Sequence, residues 1–187
     1  MSRLRGLCVA SIGVLACLTS GTCCCTNDRV LATHTPAYVL VEPTVDGWHE
    51  SKTAIDAVES KLASMLDAIA WVESRNNDAA VGDDGRSIGR YQIGRDAWYD
   101  ACDYDRSLRT RDGRPAEWSD VFDPVYARSV VKAYLRRYGR DAWLKADVET
   151  LARIHNGGPR GANKRATKAY AQRVVARMQS VVARLER

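Results

Sequence analysis

A stripe of apolar residues at helical spacing runs from residue 55 to residue 72 and stops at a loop rich in glycine and aspartate. Glu73 closes this stripe, four residues after Ile69. We therefore predict a helix with one buried face and place the carboxyl group of Glu73 on or next to that face. Burial disfavours the charged form of a carboxyl group and raises its pKa, which makes Glu73 a candidate proton donor near neutral pH. The stripe consists of Ile55, Val58, Leu62, Met65, Leu66, Ile69 and Val72.

The loop that follows Glu73 carries a second set of carboxylates, Asp83 and Asp84. Residues 75–90 are rich in Asn, Asp, Gly and Arg, which favour turns, and a small β-hairpin is predicted between residues 79–81 and 87–88. A carboxylate in a hydrated loop can stay ionised. Two carboxyl groups whose surroundings separate their pKa values are the arrangement that glycoside hydrolysis uses.

The rest of the chain predicts a mainly α-helical fold with this small strand element. Asp123 and Pro124 form a cap and a first helical position, and Gly139 is a suitable helix end. Glycine and proline at residues 156–159 are expected to break another helix. The predicted helices after the loop cover residues 94–104, 124–138, 147–155 and about 163–185, with a polar loop at residues 106–119.

Residues 1–25 have the three parts of a secretory signal peptide. Arg3 and Arg5 precede an apolar stretch over residues 7–18, and small polar residues follow. The apolar stretch is short for a membrane span, although a retained membrane anchor is the alternative. We expect a leader at residues 1–25, a linker or loosely packed arm at residues 26–50, and one folded domain at residues 51–187.

The cysteines are concentrated in the predicted leader, which contains five of the six. Cleavage after the leader leaves Cys102, so the domain is expected to have no disulfide and Cys102 to be a small buried residue. The segment Val14-Leu15-Ala16-Cys17 loosely resembles a lipobox, but Leu15 stands where a small residue is expected. Lipoprotein anchoring is therefore an alternative to secretion or to a periplasmic or cell-envelope location.

The formal net charge is +5, and removal of Arg3 and Arg5 with the leader lowers it to +3. This mild excess suits an anionic polymer such as a cell wall and is too small to indicate nucleic acid. With one remaining thiol and three histidines far apart in sequence, no metal site is predicted, and no cofactor motif is present. The basic residues of the last predicted helix are interpreted as a solvated face.

Two stretches resemble the invertebrate-type lysozymes, the destabilase group. Residues 151–161 read Leu-Ala-Arg-Ile-His-Asn-Gly-Gly-Pro-Arg-Gly, which is similar to that family's Ala-Arg-x-His-Asn-Gly-Gly-Pro-x-Gly signature. Upstream, Glu73-Ser74, Asp83-Asp84-Gly85 and the run over residues 89–93 resemble its Glu-Ser, Asp-x-Gly and Gly-Tyr-x-Gln-Ile motifs. The likeness covers roughly residues 68–161 and keeps the family's motif order.

This resemblance implies a lysozyme-like α+β fold and hydrolysis of the β-1,4 bond between N-acetylmuramic acid and N-acetylglucosamine in peptidoglycan. Glu73 would be the general acid and Asp83 the nucleophile or oxocarbenium stabiliser. The interval from Glu73 to Asp83 is shorter than the family's, which leaves Asp84 as the alternative partner. The family is also rich in cysteine, whereas other residues occupy its disulfide positions here.

The matched motifs also imply substrate-binding residues, and each has a structural alternative. His155 could instead cap a helix, Tyr91 and Gln92 could orient the loop, and Asn156 and Gly157 could serve turn chemistry. The predicted substrate-binding set is Ser74, Tyr91, Gln92, His155, Asn156 and Gly157.

Two other functions fit the same residues. Glu73-Ser74, Gly89 and Gln92 also resemble lytic transglycosylases, which use a single glutamate and end in an internal anhydro-sugar; Asp83 would then be an ordinary loop residue. A non-catalytic peptidoglycan-binding module is the third possibility. In each case we expect a monomer that leaves the cytoplasm and has no stable membrane span after cleavage.

Overall fold

The computed structural model describes the backbone of residues 45–185 and the side chains of residues 52–184. The predicted leader and most of the predicted linker, up to residue 44, lie outside the described residues. Within the described part, no helix is long and apolar enough to span a membrane.

The described domain is mainly helical with a small antiparallel sheet, which confirms the predicted fold class. Three short strands pair in the order β1-β2-β3, with Ile88 opposite both Val81 and Ile93. The strands are β1 (Val81–Gly82), β2 (Ser87–Ile88), β3 (Ile93–Gly94), β4 (Thr110–Arg111) and β5 (Arg114–Pro115). The helices are α1 (Val45–Ser74), α2 (Arg95–Tyr104), α3 (Pro124–Tyr138), α4 (Arg140–Leu144), α5 (Val148–Gly157) and α6 (Lys168–Leu185).

Helix α1 begins at Val45, inside the segment predicted to be a linker. Its apolar stripe is buried only in the second half, because Ile55 is 59% exposed whereas Met65 and Ile69 are fully buried. That second half packs against α5 and α6. The end of α1 that carries Glu73 is therefore the end embedded in the domain.

Local capping fixes the ends of α3 and α5. Asp123 accepts hydrogen bonds from the backbone N–H groups of Val125 and Tyr126, as the sequence predicts. The N–H of Gly139 donates to the carbonyl of Leu135 at the other end of α3. Asp147 caps α5 by accepting from the N–H of Thr150. Each such cap stabilises its helix by about 1 kcal/mol.

The core lies where α5 meets α6 and α2 meets α3. Cys102 is a free, buried thiol of α2, which confirms its prediction as a small core residue. Its thiol lies 3.8 Å from the carbonyl oxygen of Leu108. The largest fully buried side chains are Tyr91, Met65, Leu66, Ile69, Leu135, Leu151, Val121, Val130 and Val174.

The structure differs from the sequence-based expectation at several short elements. Strand β3, the β4–β5 hairpin in the predicted polar loop and the short helix α4 were not predicted, because elements of two to five residues carry too little periodicity to be recognised. Helix α5 continues through Asn156 to Gly157, beyond its predicted break. Helix α6 begins at Lys168 because two separate 3₁₀ turns occupy much of the segment from Gly161 to Thr167.

Candidate active site

Glu73 lies in the last turn of α1 and its carboxylate contacts side chains from two other helices. The hydroxyl of Tyr170 on α6 donates a hydrogen bond of 2.6 Å to Glu73 Oε1. His155 Nε2 on α5 lies 3.3 Å from the same oxygen. The side chains of Glu73 and His155 are 19% and 9% exposed. Three helices therefore meet at one mostly buried carboxylate.

The two oxygens of this carboxylate have different surroundings. Both contacts described above fall on Oε1, and no described residue donates a hydrogen bond to Oε2. The protein thus fixes the orientation of the Glu73 carboxylate through one oxygen. The other oxygen is left for a ligand.

The pKa of Glu73 is lowered, not raised as the sequence analysis predicted. Burial raises the pKa, but the hydrogen bond and charge of His155, the hydrogen bond from Tyr170 and the charge of Arg173 together outweigh it. The expectation considered burial alone and is wrong for that reason. In the free protein Glu73 is therefore ionised at neutral pH.

Tyr170 belongs to the site although the sequence analysis did not identify it. The sequence placed it only within the helix predicted over about residues 163–185. Burial and the adjacent charge of Glu73 raise the pKa of Tyr170, so its hydroxyl remains a hydrogen-bond donor. A tyrosine on a buried helix face is the only sequence signal for this role, and by itself it predicts packing.

The His-Asn-Gly-Gly-Pro run combines one site residue with a tight packing turn. Asn156 is exposed beside His155 at the end of α5. A Cβ on Gly157 would lie 2.5 Å from Thr167 Cγ2, and a Cβ on Gly161 would lie 2.0 Å from the carbonyl oxygen of Arg153. These glycines are required for close packing of the turn after α5. That turn holds the C-terminal end of α5, where His155 lies.

Ser74 ties the end of α1 to the loop between β2 and β3. Its hydroxyl lies 2.9 Å from the carbonyl oxygen of Arg90, to which it donates. The same hydroxyl accepts a hydrogen bond of 3.0 Å from the N–H of Asn77. In this structure Ser74 therefore positions the loop relative to Glu73.

Asp83 is exposed at the β1–β2 turn but is held by a short chain of polar groups. Ser87 Oγ lies 3.0 Å from Asp83 Oδ2 and 3.1 Å from Gln92 Oε1. Gln92 Nε2 donates to the carbonyl of Gly89 at 2.9 Å. Gln92 and His155 line the same cavity of about 80 Å³. The β2–β3 loop, which carries Gln92, and helix α5, which carries His155, thus meet at this cavity.

Three residues of the β1–β2 and β2–β3 loops have a left-handed backbone conformation. Asp83, Asp84 and Gln92 have φ values of 49°, 54° and 48°, in the left-handed region. Such conformations persist in non-glycine residues when surrounding contacts hold them, and they concentrate at functional sites. A Cβ on Gly82 would lie 2.1 Å from Gln92 Oε1, so glycine there admits the Gln92 side chain.

The two candidate aspartates differ in their side-chain hydrogen bonds. Asp84 is exposed and has no side-chain hydrogen bond to any described residue, whereas Asp83 bonds to Ser87.

Tyr91 is a residue of the core. It is 0% exposed and its hydroxyl lies 3.5 Å from Arg128 Nη1. Complete burial leaves Tyr91 no surface for a ligand and favours the loop-orienting alternative.

A groove much larger than the cavity beside Gln92 and His155 lies elsewhere in the described domain. It has a volume of about 770 Å³ and runs between the middle of α1 and helices α3 and α4. Leu62, Leu66 and Trp143 lie on its walls, and none of the predicted site residues does. Size alone therefore does not single out a candidate site, and our candidate is based instead on the buried, partly bonded Glu73 carboxylate.

Comparison with known proteins matches the chain to one family and to several lysozymes. A family described as Destabilase matches residues 63–177, more than half of the chain. Lysozyme 1 of Crassostrea virginica is 36% identical over 92 residues, which are 48% of this chain and 44% of that protein. A lysozyme of Meretrix lusoria is 33% identical over 113 residues, 58% of this chain and 84% of that protein.

Invertebrate-type lysozyme 6 of Caenorhabditis elegans is 32% identical over 119 residues, 61% of this chain and 85% of that protein. The chain spans less than half the length of the Crassostrea relative. The family match contains Glu73, Asp83, His155 and Tyr170. The chain belongs to the destabilase family.

Proposed function

We propose that this protein is a lysozyme-type glycoside hydrolase that cleaves the β-1,4 bond between N-acetylmuramic acid and N-acetylglucosamine in peptidoglycan. The observation that carries the proposal is the Glu73 carboxylate, which Tyr170 and His155 contact through Oε1 while no described residue donates a hydrogen bond to Oε2. Membership of a family whose relatives are named lysozymes supports the same reaction class.

Glu73 is the general acid in this proposal. Its protonated Oε2 donates to the glycosidic oxygen as the bond to the leaving sugar breaks. Because the pKa of Glu73 is lowered, its protonated form is scarce at neutral pH and becomes more populated as the pH falls. A bound sugar also displaces water from the carboxyl group, and desolvation acts in the direction that raises its pKa. Activity is therefore expected to favour acidic conditions.

Asp83 is the second carboxylate, acting as nucleophile or as stabiliser of the oxocarbenium ion. Its hydrogen bond from Ser87 orients the side chain, and its exposure leaves it accessible to a sugar. Gln92 joins this loop to the cavity beside His155. Asp84 has no comparable side-chain contact in the described domain, so we assign the role to Asp83.

The remaining predicted ligand contacts are part of the same proposal. Gln92 and His155 line one cavity, Asn156 follows His155 on α5, and we assign these three residues to substrate binding. Gly157 and Ser74 hold the adjoining turn and loop through their packing and hydrogen bonds. Because all these groups come from one chain, the site is complete in a monomer.

The proposed substrate lies outside the cytoplasm, which fits the predicted leader at residues 1–25. We assign the protein to secretion or to the cell envelope on that basis. No described helix could cross a membrane.

Glu73→Gln tests the proposal, because glutamine keeps the shape of the side chain but cannot donate an acidic proton. We expect loss of reducing-end release from peptidoglycan by about a thousandfold with an unchanged circular dichroism spectrum. Glu59→Gln makes the same chemical change at an exposed position on α1 and should retain full activity. Unchanged activity in Glu73→Gln would overturn the proposal. Pelleting of the wild-type protein with the wall, without soluble fragments, would indicate a binding module instead.

A further inference from the structure

Two arginines lie over one tryptophan ring close to Glu73. Trp71 is half-buried near the end of α1. The guanidinium carbon of Arg75, from the loop after α1, lies 3.5 Å from the ring centroid. The guanidinium carbon of Arg177, from α6, lies 4.4 Å from the same centroid. Two positive charges from separate elements of the fold therefore lie next to this one ring.

A third arginine extends this group towards the carboxylate. Arg173 lies one turn before Arg177 on α6, so both side chains project from the same helix face. Its guanidinium carbon lies 5.5 Å from the ring centroid of Tyr170, the residue that donates to Glu73. The charge of Arg173 contributes to the lowered pKa of Glu73. We call Arg75, Arg173 and Arg177 the arginine cluster.

The arginine cluster forms no ion pair with a carboxylate in the described part of the chain, although Arg75 and Arg173 are exposed. The charge of Arg173 acts on the Glu73 carboxylate without an ion-pair contact. Like charges gathered in this way repel one another, and an anion between or beside them relieves that repulsion. Several other arginines are paired, as in Arg90 with Asp78, Arg111 with Asp123 and Arg128 with Asp67.

The chemistry of guanidinium groups indicates which anions fit the arginine cluster. Their planar set of donors matches the oxygens of carboxylate and phosphate groups and forms bidentate hydrogen bonds with them. Trp71 contributes a flat surface that restrains the orientation of two guanidinium groups. A neutral N-acetyl sugar has no charge for this cluster to recognise.

We propose that the arginine cluster binds an anionic substituent of the wall polymer, a carboxylate or a phosphate, beside the bond presented to Glu73. The identity of the polymer rests on the proposed function. Stem-peptide carboxylates and teichoic-acid phosphates are the two sources of this chemistry in a bacterial wall. The cluster thereby favours substituted, anionic strands over neutral amino-sugar polymers.

The test measures binding without catalysis. The full chain carrying Glu73→Gln is sedimented with insoluble peptidoglycan at low salt, with and without Arg75→Gln and Arg177→Gln. We expect the two arginine changes together to raise Kd by about three- to tenfold, or about 0.7–1.4 kcal/mol, which is within the contribution of two exposed charge pairs. The difference should shrink as added salt shortens the screening length.

A matched control removes the same charge elsewhere. Lys52→Gln with Arg184→Gln changes two exposed cations of α1 and α6, and Lys52 lies about 28 Å from Trp71 along α1. This control should change Kd less than twofold. Arg75→Lys with Arg177→Lys keeps the charge and should lose less affinity than the glutamine pair, and thermal unfolding of every variant checks the fold.

Three substrates separate the possible anions. A loss on intact wall and on wall stripped of teichoic acid supports the proposal with a carboxylate ligand, and a loss on intact wall alone supports it with a phosphate. An equal loss on neutral chitin, or no loss on any polymer, overturns it. A protein that binds the wall but does not cleave it would still show the arginine effect. Failure of the proposed function is therefore distinguishable from failure of this inference.

Discussion

Glu73 and Asp83 are two carboxylates of one candidate site in opposite surroundings. Glu73 is mostly buried and is bonded by Tyr170, a residue 97 positions away in sequence. Asp83 is exposed and is bonded by Ser87, four positions away within the same turn. The first is controlled by the packing of three helices and the second by local turn geometry. Changes in α5 and α6, the helices that contact Glu73, should therefore alter the pKa of Glu73. Changes in the β1–β2 turn should alter only the position of Asp83.

After the loss expected for Glu73→Gln, the largest effect should come from removing the loop carboxylate. Asp83→Asn should lower kcat/KM for peptidoglycan about a hundredfold or more, since it deletes the charge that stabilises the developing cation. Asp84→Asn, the neighbouring control, should stay within about threefold of wild type. Full activity in both variants would favour a lytic transglycosylase that uses Glu73 alone.

A change at His155, on helix α5 beside Glu73, should shift the pH dependence of kcat/KM. His155→Gln removes the charge and weakens the hydrogen bond that lower the pKa of Glu73, so that pKa should rise. Because the acid must be protonated, the decline of kcat/KM with rising pH should occur at higher pH in the variant. Lys145→Gln removes an exposed cation and serves as the control. An unchanged profile in His155→Gln would show that Glu73 does not depend on this contact.

Tyr170→Phe should give a smaller effect that depends on pH in a defined direction. The lowered pKa of Glu73 stabilises the fold above the unfolded-state pKa, and this contribution is lost as the pH falls through the folded-state pKa. Removing the hydroxyl should cost about 1–3 kcal/mol of unfolding free energy near pH 7 and less near pH 2. Urea unfolding at both pH values measures the difference. A cost that is the same at both would contradict the assigned interaction with ionised Glu73.

The smallest effect is expected at Gly82. Gly82→Ala places a methyl group against Gln92 Oε1, a flexible side-chain end that can shift. The unfolding free energy should therefore fall by less than about 1 kcal/mol, while activity should fall about threefold because Gln92 leaves Ser87. Gly85 has open space around it but a φ of +85°, so Gly85→Ala strains the loop backbone without displacing Gln92. A larger activity loss in Gly85→Ala would point to loop strain, not the contact with Gln92, as the cause.

Local features of the sequence predicted much of the fold. The stripe before Glu73, the Asp123–Pro124 start of α3 and its end at Gly139 depend on residues a few positions apart, and the structure agrees with them. The β1–β2 hairpin formed where turn residues indicated it. Strands of two residues carry no usable period, which explains the missed β3 and β4–β5 pairs.

The features that depend on distant packing were not predictable in the same way. The sign of the Glu73 pKa shift is set by His155, Tyr170 and Arg173, none of which lies near Glu73 in sequence. The basic residues of α6 are mostly exposed, as predicted, but Arg177 is half-buried over Trp71 of α1. The pKa shift of Glu73 and the contact of Arg177 were missed for one physical reason: a sequence pattern shows which face of a helix is apolar, but not which side chains of another helix meet it.

Digestion of peptidoglycan in ¹⁸O-labelled water, followed by mass spectrometry of the released fragments, tests the central proposal most directly. A hydrolase with Glu73 as general acid incorporates one labelled oxygen at each new reducing end. We predict labelled, reducing products. Unlabelled anhydro-muramyl products, lighter by one water, would contradict hydrolysis and identify a lytic transglycosylase instead.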